Sequence, residues 1–556
     1  MITTTSYRFL SGSFEASITE WIQKAEKQSM VKRLWGKDAS LWKKTPKEQA
    51  EIVARLGWLT AAHLMKDRAV SLKAFADEIR AEGVTHVVLL GMGGSSLAPE
   101  VFQSVCGNKT GYPELLVLDS TDPLKVRAIQ EKIDLQKSIF IVSSKSGGTI
   151  ELLSFYKFFF EQVKALEGDK AGQRFIAITD PGTPLEKMAK ENHFRRVFLA
   201  PEDVGGRFSA LTYFGLVPAA LIGTDIDKML RGAEKMMDDS SLAVSYQDNS
   251  SLALGIAMAV LAEEGRDKLT LVTPENLESF GDWAEQLVAE STGKEDSGII
   301  PIVGEKLQAP EAYGQDRFFV ALAPRNMKNS EEFEAKLEAL AQAGHPVMIL
   351  TMRDAYDLGA EFFRWEYATA VACSLLKINA FDQPDVQAAN DSAKSILKSF
   401  EQTGTIPVQQ TERTLENFWE NAESGNYVAI LAFLPDSATI KERLTELADK
   451  IRKQTKLAVT LGFGPRYLHS TGQLHKGGAN KGIFILITAD HSEDLAVPGE
   501  KYSFGQLELA QAMGEFTALE TKGRWLVHLR AQSADEKALN EVCEKIEAAI
   551  GTPQLS

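Results

Sequence analysis

The 556-residue sequence has few cysteines, no long apolar run and no excess of positive charge. Its three cysteines, Cys106, Cys373 and Cys543, lie far apart, and their odd number argues against a disulfide framework. No apolar stretch reaches the roughly 18 residues that a membrane-spanning helix needs. The first residues, MITTTSYRFLSGSFEAS, lack the basic-then-apolar pattern of a signal peptide. These absences predict a cytoplasmic protein with no membrane partner.

The net charge of −15 excludes a further class of partner. A strongly acidic protein does not steer nucleic acid or an anionic membrane toward itself. An anionic small ligand would have to be held by local donors, namely helix N-termini, loop amides and a few fixed cationic side chains. The eight histidines are scattered with no acid–histidine cluster beside them, so neither a metal nor another cofactor is expected.

The order of apolar and helical segments predicts an α/β fold in several units. Residues 1–83 are predicted to be helical, because their apolar positions recur at helical spacing. Over 84–225, continuously apolar strands alternate with helical segments, which is typical of a parallel sheet with helices on both faces. Two further α/β units are predicted at 226–400 and 401–556, separated by the linker SFEQTGTIPVQQT.

A glycine- and serine-rich turn follows the first of these strands, in THVVLLGMGGSSLAPEVF. Gly94 and Ser95 stand at the start of a helix, where backbone N–H groups point at an anion. The turn is similar to a dinucleotide-binding fingerprint, but Ser96 replaces the third glycine, and no P-loop lysine follows. The turn predicts an anion site, with nucleotide binding as the alternative.

A second turn of this kind follows the third strand, in SSKSGGTIE. Ser144, Lys145, Ser146 and Thr149 place hydroxyls and a cation at another helix start, where they can donate to phosphate oxygens. Helix capping is the alternative interpretation, but a cap uses one hydroxyl and this turn offers several. Phosphate binding is therefore the favoured prediction.

Two further segments carry candidate catalytic side chains. In GGRFSALTYFGL, Arg207 follows Gly206 and offers a permanent planar cation, suited to a phosphate, a developing oxyanion or a structural salt bridge. In EQLVAESTGKE, Gln286 and Glu290 are four residues apart and share one face of a helix. Glu290 is a candidate for proton transfer, the alternative being a solvated carboxylate at a helix end.

Together the four segments resemble the glucose-6-phosphate isomerase family, whose members have the sugar-isomerase (SIS) fold. A fifth segment, KINAFDQPDVQAAN, is similar to the family's late Asn-x-Phe-Asp-Gln stretch, and the resemblance spans roughly residues 84–395. It implies two SIS-type parallel-sheet α/β domains. It also implies metal-free interconversion of glucose 6-phosphate and fructose 6-phosphate through an enediol intermediate. Because the family usually builds its sites at a dimer interface, a homodimer is possible.

The resemblance also implies a role for each segment. The residues that would bind the phosphate are Gly94, Ser95, Ser144, Lys145, Ser146 and Thr149. Glu290 would move the proton between C1 and C2, and Arg207 would stabilise the charged intermediate. Gln286 and Gly206 would contact the substrate.

The sequence departs from the family pattern at two positions. The lysine that follows the family's Phe-Asp-Gln stretch is replaced by Asn390, and Lys394 stands one helical turn further on. The family's ring-opening histidine lies soon after the catalytic glutamate, where this sequence has none. A late segment, YLHSTGQLHKGG, makes His475 the predicted ring-opening residue, with His469 as the second candidate.

Residues 401–556 resemble the C-terminal part of the isomerase half of bifunctional transaldolase/glucose-6-phosphate isomerase proteins. No segment of transaldolase size precedes residue 84 in the sequence, so transaldolase activity is not expected. Thr212 and Asn390 leave a wider specificity open, for instance for mannose 6-phosphate. A sugar-phosphate sensor without turnover is the alternative outside enzymes, but a sensor has no use for Glu290 and Arg207. A nucleotide-linked dehydrogenase is the least favoured hypothesis.

Overall fold

The computed structural model describes residues 2–3, 7–10, 14–325, 330–409, 411 and 413–550. This part of the chain forms three sheets with helices packed against them, preceded by a group of N-terminal helices. The predicted α/β class is confirmed. No helix in the described residues has both the length and the hydropathy to cross a lipid bilayer. The remaining positions of the predicted N-terminal and C-terminal units lie outside the described residues.

The N-terminal segment contains helices, as predicted, and also two short strands. In chain order its elements are β1 (Ile2–Thr3), β2 (Tyr7–Leu10), α1 (Glu15–Lys27), α2 (Met30–Trp35), α3 (Pro46–Val53) and α4 (Ala61–Ala81). β1 pairs antiparallel with β2, and β2 joins the sheet of the second unit. Residues 1–83 are therefore not helical throughout. Tyr7 and Phe9 are buried, and packing against another unit rather than local periodicity makes this segment a strand.

The first sheet is parallel and matches the strands predicted over 84–225. Its strands are β3 (His86–Gly91), β4 (Glu114–Leu118), β5 (Ser138–Ser143), β6 (Phe175–Thr179) and β7 (Arg196–Leu199). The crossover helices are α5 (Leu97–Cys106), α6 (Pro123–Lys132), α7 (Ile150–Glu167) and α8 (Pro184–Glu191). The strand order is β4-β3-β5-β6-β7, so the chain changes direction across the sheet between β3 and β5. Ligands of open parallel sheets bind at such a switch point, beyond the carboxyl ends of the strands.

The second sheet has the order β1-β2-β11-β10-β8-β9, in which β8 to β11 are parallel and β2 runs antiparallel to β11. Its later strands are β8 (Lys268–Val272), β9 (Ile300–Ile302), β10 (Arg317–Pro324) and β11 (Val347–Met352). The helices of this part of the chain are α9 (Tyr213–Leu221), α10 (Ile226–Asp239), α11 (Ser250–Glu263), α12 (Glu278–Thr292), α13 (Ser330–Gln342), α14 (Leu358–Leu376) and α15 (Val386–Thr403).

The third sheet is parallel and has the order β13-β12-β14-β15. Its strands are β12 (Tyr427–Phe433), β13 (Ala458–Phe463), β14 (Gly482–Ala489) and β15 (Trp525–Ala531). The helices are α16 (Leu415–Glu420), α17 (Ala438–Thr455), α18 (Gly472–Gly477), α19 (Phe504–Thr521) and α20 (Glu536–Ala549).

Helix α19 ties the C-terminal unit to both preceding units. It packs along α15, and its first turn enters the hydrophobic core on one face of the first sheet. Phe504 stacks on Phe155 with ring centroids 6.0 Å apart and meets Phe158 edge-on at 5.6 Å. Such aromatic packing buries a large apolar area. The C-terminal unit is thereby held against the sheet that carries the two glycine-rich turns.

Candidate active site

A cavity of about 490 Å³ opens beyond the carboxyl ends of the first sheet. It lies at the loops after β3 and β5, the switch point of the sheet. Most of the predicted site residues line it: Gly94, Ser95, Ser144, Lys145, Ser146, Thr149, Gly206, Arg207, Gln286 and Glu290. Four segments that are distant in sequence therefore meet at one cavity.

The glycines of the first turn allow other loops to approach its backbone. A Cβ atom on Gly94 would lie 2.2 Å from the carbonyl oxygen of Gly206, so the first and third loops pack backbone to backbone. Gly93 has a φ of +54°, and a Cβ atom there would lie 2.7 Å from the carbonyl oxygen of His469. Only glycine tolerates a positive φ and so close an approach of another backbone. The first turn is therefore the point at which the third loop and the C-terminal unit meet.

The hydroxyls of the second turn lie together at the start of α7. Ser144 Oγ and Thr149 Oγ1 are 3.1 Å apart, and the amide of Gly147 donates to Ser144 Oγ at 3.0 Å. Thr149 is the N-cap residue of α7, yet within the described residues its side chain makes no capping hydrogen bond. The helix N-terminus carries a partial positive charge and unpaired N–H groups. The turn thus offers hydroxyls and a helix dipole to an anion instead of using them as a cap.

Lys145 lines the same cavity but is already paired with an acid. Its ammonium group donates to the carboxylate of Asp180 and lies 3.5 Å from the carbonyl oxygen of Glu202. Burial lowers the pKa of Lys145 and raises that of Asp180, although each partner opposes the shift of the other. Arg55, which the sequence pattern did not single out, also lines the cavity and donates to Glu202 at 3.0 Å.

Arg207 is buried and fixed on several sides. Its Nε donates to Ser291 Oγ at 2.8 Å, and its Nη2 donates to the carbonyl oxygens of Ala380 at 2.6 Å and Asp382 at 2.9 Å. Its Nη1 lies 3.1 Å from Glu290 Oε1, and the two side chains are 4% and 12% exposed. The guanidinium is therefore held in place before any ligand binds, with one N–H edge directed at the carboxylate.

Gln286 connects Glu290 to the C-terminal unit. Its Nε2 donates to Glu290 Oε2 at 3.1 Å and to the backbone carbonyl of His469 at 2.8 Å. The two carboxylate oxygens of Glu290 thus have different partners, one the arginine and one the amide. Helix α12 can place these side chains because Gln286 and Glu290 are one turn apart on a helix whose other faces are buried.

His469, the second of the two histidine candidates, also lines this cavity. Its Nε2 lies 2.9 Å from Glu151 Oε1, and that oxygen also accepts a hydrogen bond from Gln511 Nε2 at 2.6 Å. Burial by itself lowers the pKa of His469, but the charge and hydrogen bond of Glu151, together with Glu290, raise it more. Burial raises the pKa of Glu151, but the imidazolium of His469 brings it below its ordinary value. The pair favours a charged histidine beside Glu290.

His475, the first choice of ring-opening residue, lies outside this cavity. This side chain is buried among the rings of Tyr427, Tyr467 and Phe484, with centroid distances of 6.5, 5.9 and 5.2 Å. It does not line the cavity, and burial lowers its pKa well below the ordinary value. Short helix α18 turns His475 into the core, whereas His469 ends the preceding turn and faces the first sheet. Lys394 is exposed on α15 and does not line the cavity either.

The cavity does not bring metal ligands together. In the described part of the chain, its histidine and carboxylates do not come close enough as a group of three to share an ion. What the cavity offers is a set of hydroxyls and a helix N-terminus on one side. On the other side, a carboxylate lies between a fixed guanidinium and an amide, with the imidazole of His469 in the same cavity. This arrangement can hold a phosphorylated ligand and transfer a proton.

Comparison with known proteins points to one family. A sequence model of the family described as phosphoglucose isomerase matches residues 63–303. A glucose-6-phosphate isomerase from Methanocaldococcus jannaschii is 30% identical over 350 residues, which cover 57% of this chain and 85% of that protein. One from Prochlorococcus marinus is 29% identical over 391 residues, covering 64% of this chain and 74% of that protein.

Solved structures show the same fold. A hypothetical protein from Thermus thermophilus superimposes with a TM-score of 0.60 at 25% identity, covering 70% of this chain and 99% of that one. The crystal structure of a glucose-6-phosphate isomerase from Chlamydia trachomatis superimposes with a TM-score of 0.57 at 19% identity, covering 72% of this chain and 90% of that one. The sequence match to the family includes the four predicted segments and ends well before His469.

Proposed function

Since the chain belongs to the phosphoglucose isomerase family, we propose that it interconverts glucose 6-phosphate and fructose 6-phosphate in the cavity described above. One observation carries this proposal: the hydroxyl-rich turn of Ser144 to Thr149 and the Arg207–Glu290 pair line the same cavity. The hydroxyl-rich turn can hold the phosphate of a sugar, and the Arg207–Glu290 pair can act on the carbons at the other end of the sugar. A sensor that only binds the sugar phosphate would not need the Arg207–Glu290 pair.

The phosphate would be bound by the turns after β3 and β5. Ser95, Ser144, Ser146 and Thr149 would donate hydroxyl hydrogen bonds, and the N-terminus of α7 would add amide donors. The whole protein is acidic, so these local donors, with Lys145 at the edge, would provide the attraction. Because the Lys145 charge is shared with Asp180, neutral donors would make most of the contacts.

The isomerisation itself would be a proton transfer by Glu290. The carboxylate would take the proton from C2 of the open-chain aldose while O1 gains a proton from solvent, which forms the enediol. Loss of the O2 proton to solvent and return of the first proton to C1 would then give the ketose. Arg207 would stabilise the negative charge that develops on the oxygens, since it is fixed before the reaction and needs no reorganisation. Gln286 would hold the second carboxylate oxygen and so keep the first one directed at the substrate.

Opening of the sugar ring would fall to His469. A charged histidine can give a proton to the ring oxygen, and Glu151 would hold the imidazole in orientation. His469 comes from the same chain as Glu290 and lines the same cavity. Association into a homodimer stays a separate prediction.

The origin of the transferred hydrogen tests this proposal. Fructose 6-phosphate is incubated with the enzyme in heavy water, glucose 6-phosphate is measured with a coupled dehydrogenase, and deuterium in the sugar is read by NMR. We expect turnover, with deuterium at C1 or C2 after many cycles, because a carboxylate exchanges its proton with solvent. Turnover with no deuterium at all would indicate a hydride shift and contradict the role of Glu290. Binding with no turnover would leave only a sugar-phosphate sensor.

A further inference from the structure

A second group of polar side chains is buried between the first unit and the C-terminal unit, away from the cavity. Asp122 is the N-cap residue of α6, His491 lies in the loop after β14, and Glu508 is on α19. Their side chains are 0%, 6% and 3% exposed. None of the three lines the candidate active site. The sequence gives no sign of the group, because its members lie far apart and only the packing of α19 brings them together.

The three side chains direct their ligand atoms at a common point. One nitrogen of His491 and one oxygen from each carboxylate all lie within 4.8 Å of one another. His491 Nε2 is 2.5 Å from Glu508 Oε2 and 3.9 Å from Asp122 Oδ2. Asp122 uses its other oxygen to cap α6, accepting from the amides of Leu124 at 2.8 Å and Lys125 at 3.0 Å. Its Oδ2 is therefore available for another partner.

Two of the buried oxygens have no hydrogen-bond donor. Within the described residues, Asp122 Oδ2 and Glu508 Oε1 accept no hydrogen bond. Buried carboxylate oxygens without a donor are costly, because the group has lost its water. Native proteins usually supply such atoms with a donor, an ordered water or a cation.

The charges of the group do not balance by themselves. Two carboxylates and a neutral imidazole carry a charge of about −2, and protonation of the imidazole reduces this only to about −1. The neighbouring acid Asp494 adds to the imbalance, and the charge of Lys125, which acts on Asp122, is shared with Asp436. A buried uncompensated charge is strongly unfavourable. A divalent cation at the common point would bring the sum to zero.

We propose that Asp122, His491 and Glu508 bind a divalent transition-metal ion of the Zn²⁺ type. Imidazole nitrogen with carboxylate oxygen suits Zn²⁺ better than Mg²⁺ or Ca²⁺, which take oxygen ligands. An ion about 2.0–2.2 Å from each atom would set the ligand atoms about 3.3–3.6 Å apart in a tetrahedral site. The observed separations of 2.5 and 3.9 Å lie on either side of that value, so small side-chain rotations suffice. Binding would displace any proton on Nε2 into solvent.

The ion would join the two units and fix α19. Gln511 stands one turn after Glu508 on the same helix and accepts a hydrogen bond from Thr121, the neighbour of Asp122, at 2.8 Å. The amide of Gln511 also donates to Glu151, the carboxylate that holds His469. An ion at Glu508 would therefore hold the helix that positions Glu151, without touching the sugar. The proposal does not depend on the function proposed above.

Metal uptake by the full chain tests this inference. The purified protein is treated with a chelator, desalted and titrated with Zn²⁺ while bound metal is measured by mass spectrometry. We expect one tightly held equivalent per chain and a Tm that rises by several degrees on binding, because the ion binds only the folded state. The variant His491→Gln is expected to lose both the tightly held Zn²⁺ and the rise in Tm. Asp122→Asn keeps an N-cap side chain but loses a charged ligand, so it should lose most of the affinity while still folding.

A matched variant separates this site from other histidines. His528 is also largely buried in the C-terminal unit, but it is hydrogen-bonded to Thr488 and to the carbonyl oxygen of Gln409. His528→Gln should therefore keep the tight equivalent. Wild-type protein that takes up no stoichiometric Zn²⁺ would overturn the proposal. So would equal uptake by wild type and Asp122→Asn, since the ion would then be bound elsewhere. Neither readout uses isomerase activity, so this proposal and the proposed function can fail separately.

Discussion

Arg207 Nη1 lies 3.1 Å from Glu290 Oε1, at the end of helix α12 and inside the cavity that the hydroxyl-rich turn also lines. The two side chains come from different units, one from the loop before α9 and one from α12. The arginine is held by backbone carbonyls of residues 380 and 382, and Lys294 donates to the same turn at 2.5 Å. The proposed base and its proposed electrostatic partner thus lie together in a structure that holds no substrate.

Replacing Glu290 by glutamine should abolish most turnover. The amide keeps the shape of the side chain but cannot accept a proton, so we expect kcat to fall by about 10²- to 10⁴-fold. The dissociation constant for fructose 6-phosphate should change little, since the base acts mainly in the transition state. Steady-state kinetics and calorimetry measure the two quantities. Glu278→Gln makes the same change at an exposed position of the same helix and should leave kcat unchanged. Near-normal turnover in Glu290→Gln would remove Glu290 from the mechanism.

Replacing Arg207 by lysine tests whether geometry matters beyond charge. Lysine keeps the positive charge but cannot make the planar set of hydrogen bonds to Ser291, Ala380 and Asp382. We expect kcat to fall by about 10²- to 10³-fold, the usual effect of losing a preorganised donor to a developing oxyanion. Comparison of kcat with KM checks this, because the loss should appear mainly in kcat. A lysine variant with full kcat would show that charge alone is sufficient.

Thr149 and Thr45 form a matched pair for the phosphate turn. Thr149 stands at a helix N-cap without a capping hydrogen bond, whereas Thr45 caps α3 by accepting from the amide of Glu48. Thr149→Val should raise KM by about 10- to 100-fold, the effect of one hydrogen bond to a charged group. Its Tm should hardly change. Thr45→Val should do the reverse, leaving KM unchanged and costing about 1 kcal/mol of unfolding free energy. Equal KM values for the two variants would contradict phosphate binding by Thr149.

The two histidines of YLHSTGQLHKGG should respond differently to the same substitution. His469→Gln should lower kcat by about 10²-fold or more, because a general acid is lost at the cavity. His475→Gln should lower the Tm, since a polar amide replaces a ring packed among three aromatic side chains. Kinetics and thermal unfolding of both variants separate the assignments. A large loss of kcat in His475→Gln, with His469→Gln active, would reverse them.

The Glu151–His469 pair should stabilise the fold in a limited pH range. The pKa of His469 is raised on folding, so its contribution is complete below the unfolded value of about 6.5 and is lost as pH rises through the folded value. The pKa of Glu151 is lowered, so its contribution is complete above the unfolded value of about 4.5 and is lost as pH falls through the folded value. Glu151→Gln should therefore lower the Tm most between about pH 4.5 and 6.5. Scanning fluorimetry of both proteins from pH 4 to 9 measures this. A difference in Tm between Glu151→Gln and wild type that stayed constant with pH would contradict the prediction.

Much of the candidate site could be predicted because its parts are local patterns at strand ends. Ser144 and Thr149 follow a continuously apolar strand, and the carboxyl ends of parallel strands meet at one edge of a sheet. Gln286 and Glu290 are one helical turn apart, so their shared face follows from helix geometry alone. The α/β class followed from the same alternation of strands and helices.

What could not be predicted depends on contacts between distant segments. His469 and His475 stand in the same sequence segment. His469 ends a short helical turn and faces the first sheet, whereas His475 lies on α18 and faces the core, and the sequence does not show where that turn ends and α18 begins. The strand Tyr7–Leu10 is too short to show a period, and it forms because the edge of the second sheet accepts it. Arg55, Asp180 and Glu151 had no local signal, since nothing beside them in the sequence indicates which loops they approach.

The packing of Phe504 on Phe155 and Phe158 has a consequence for synthesis of the chain on the ribosome. The first sheet and its crossover helices are translated early, but the core on one face of the sheet is completed by α19, which is translated near the end. Until then the nascent protein exposes a surface that chaperones recognise. His469 also arrives in this last part, so the proposed ring-opening group joins the cavity only after the C-terminal unit has been made.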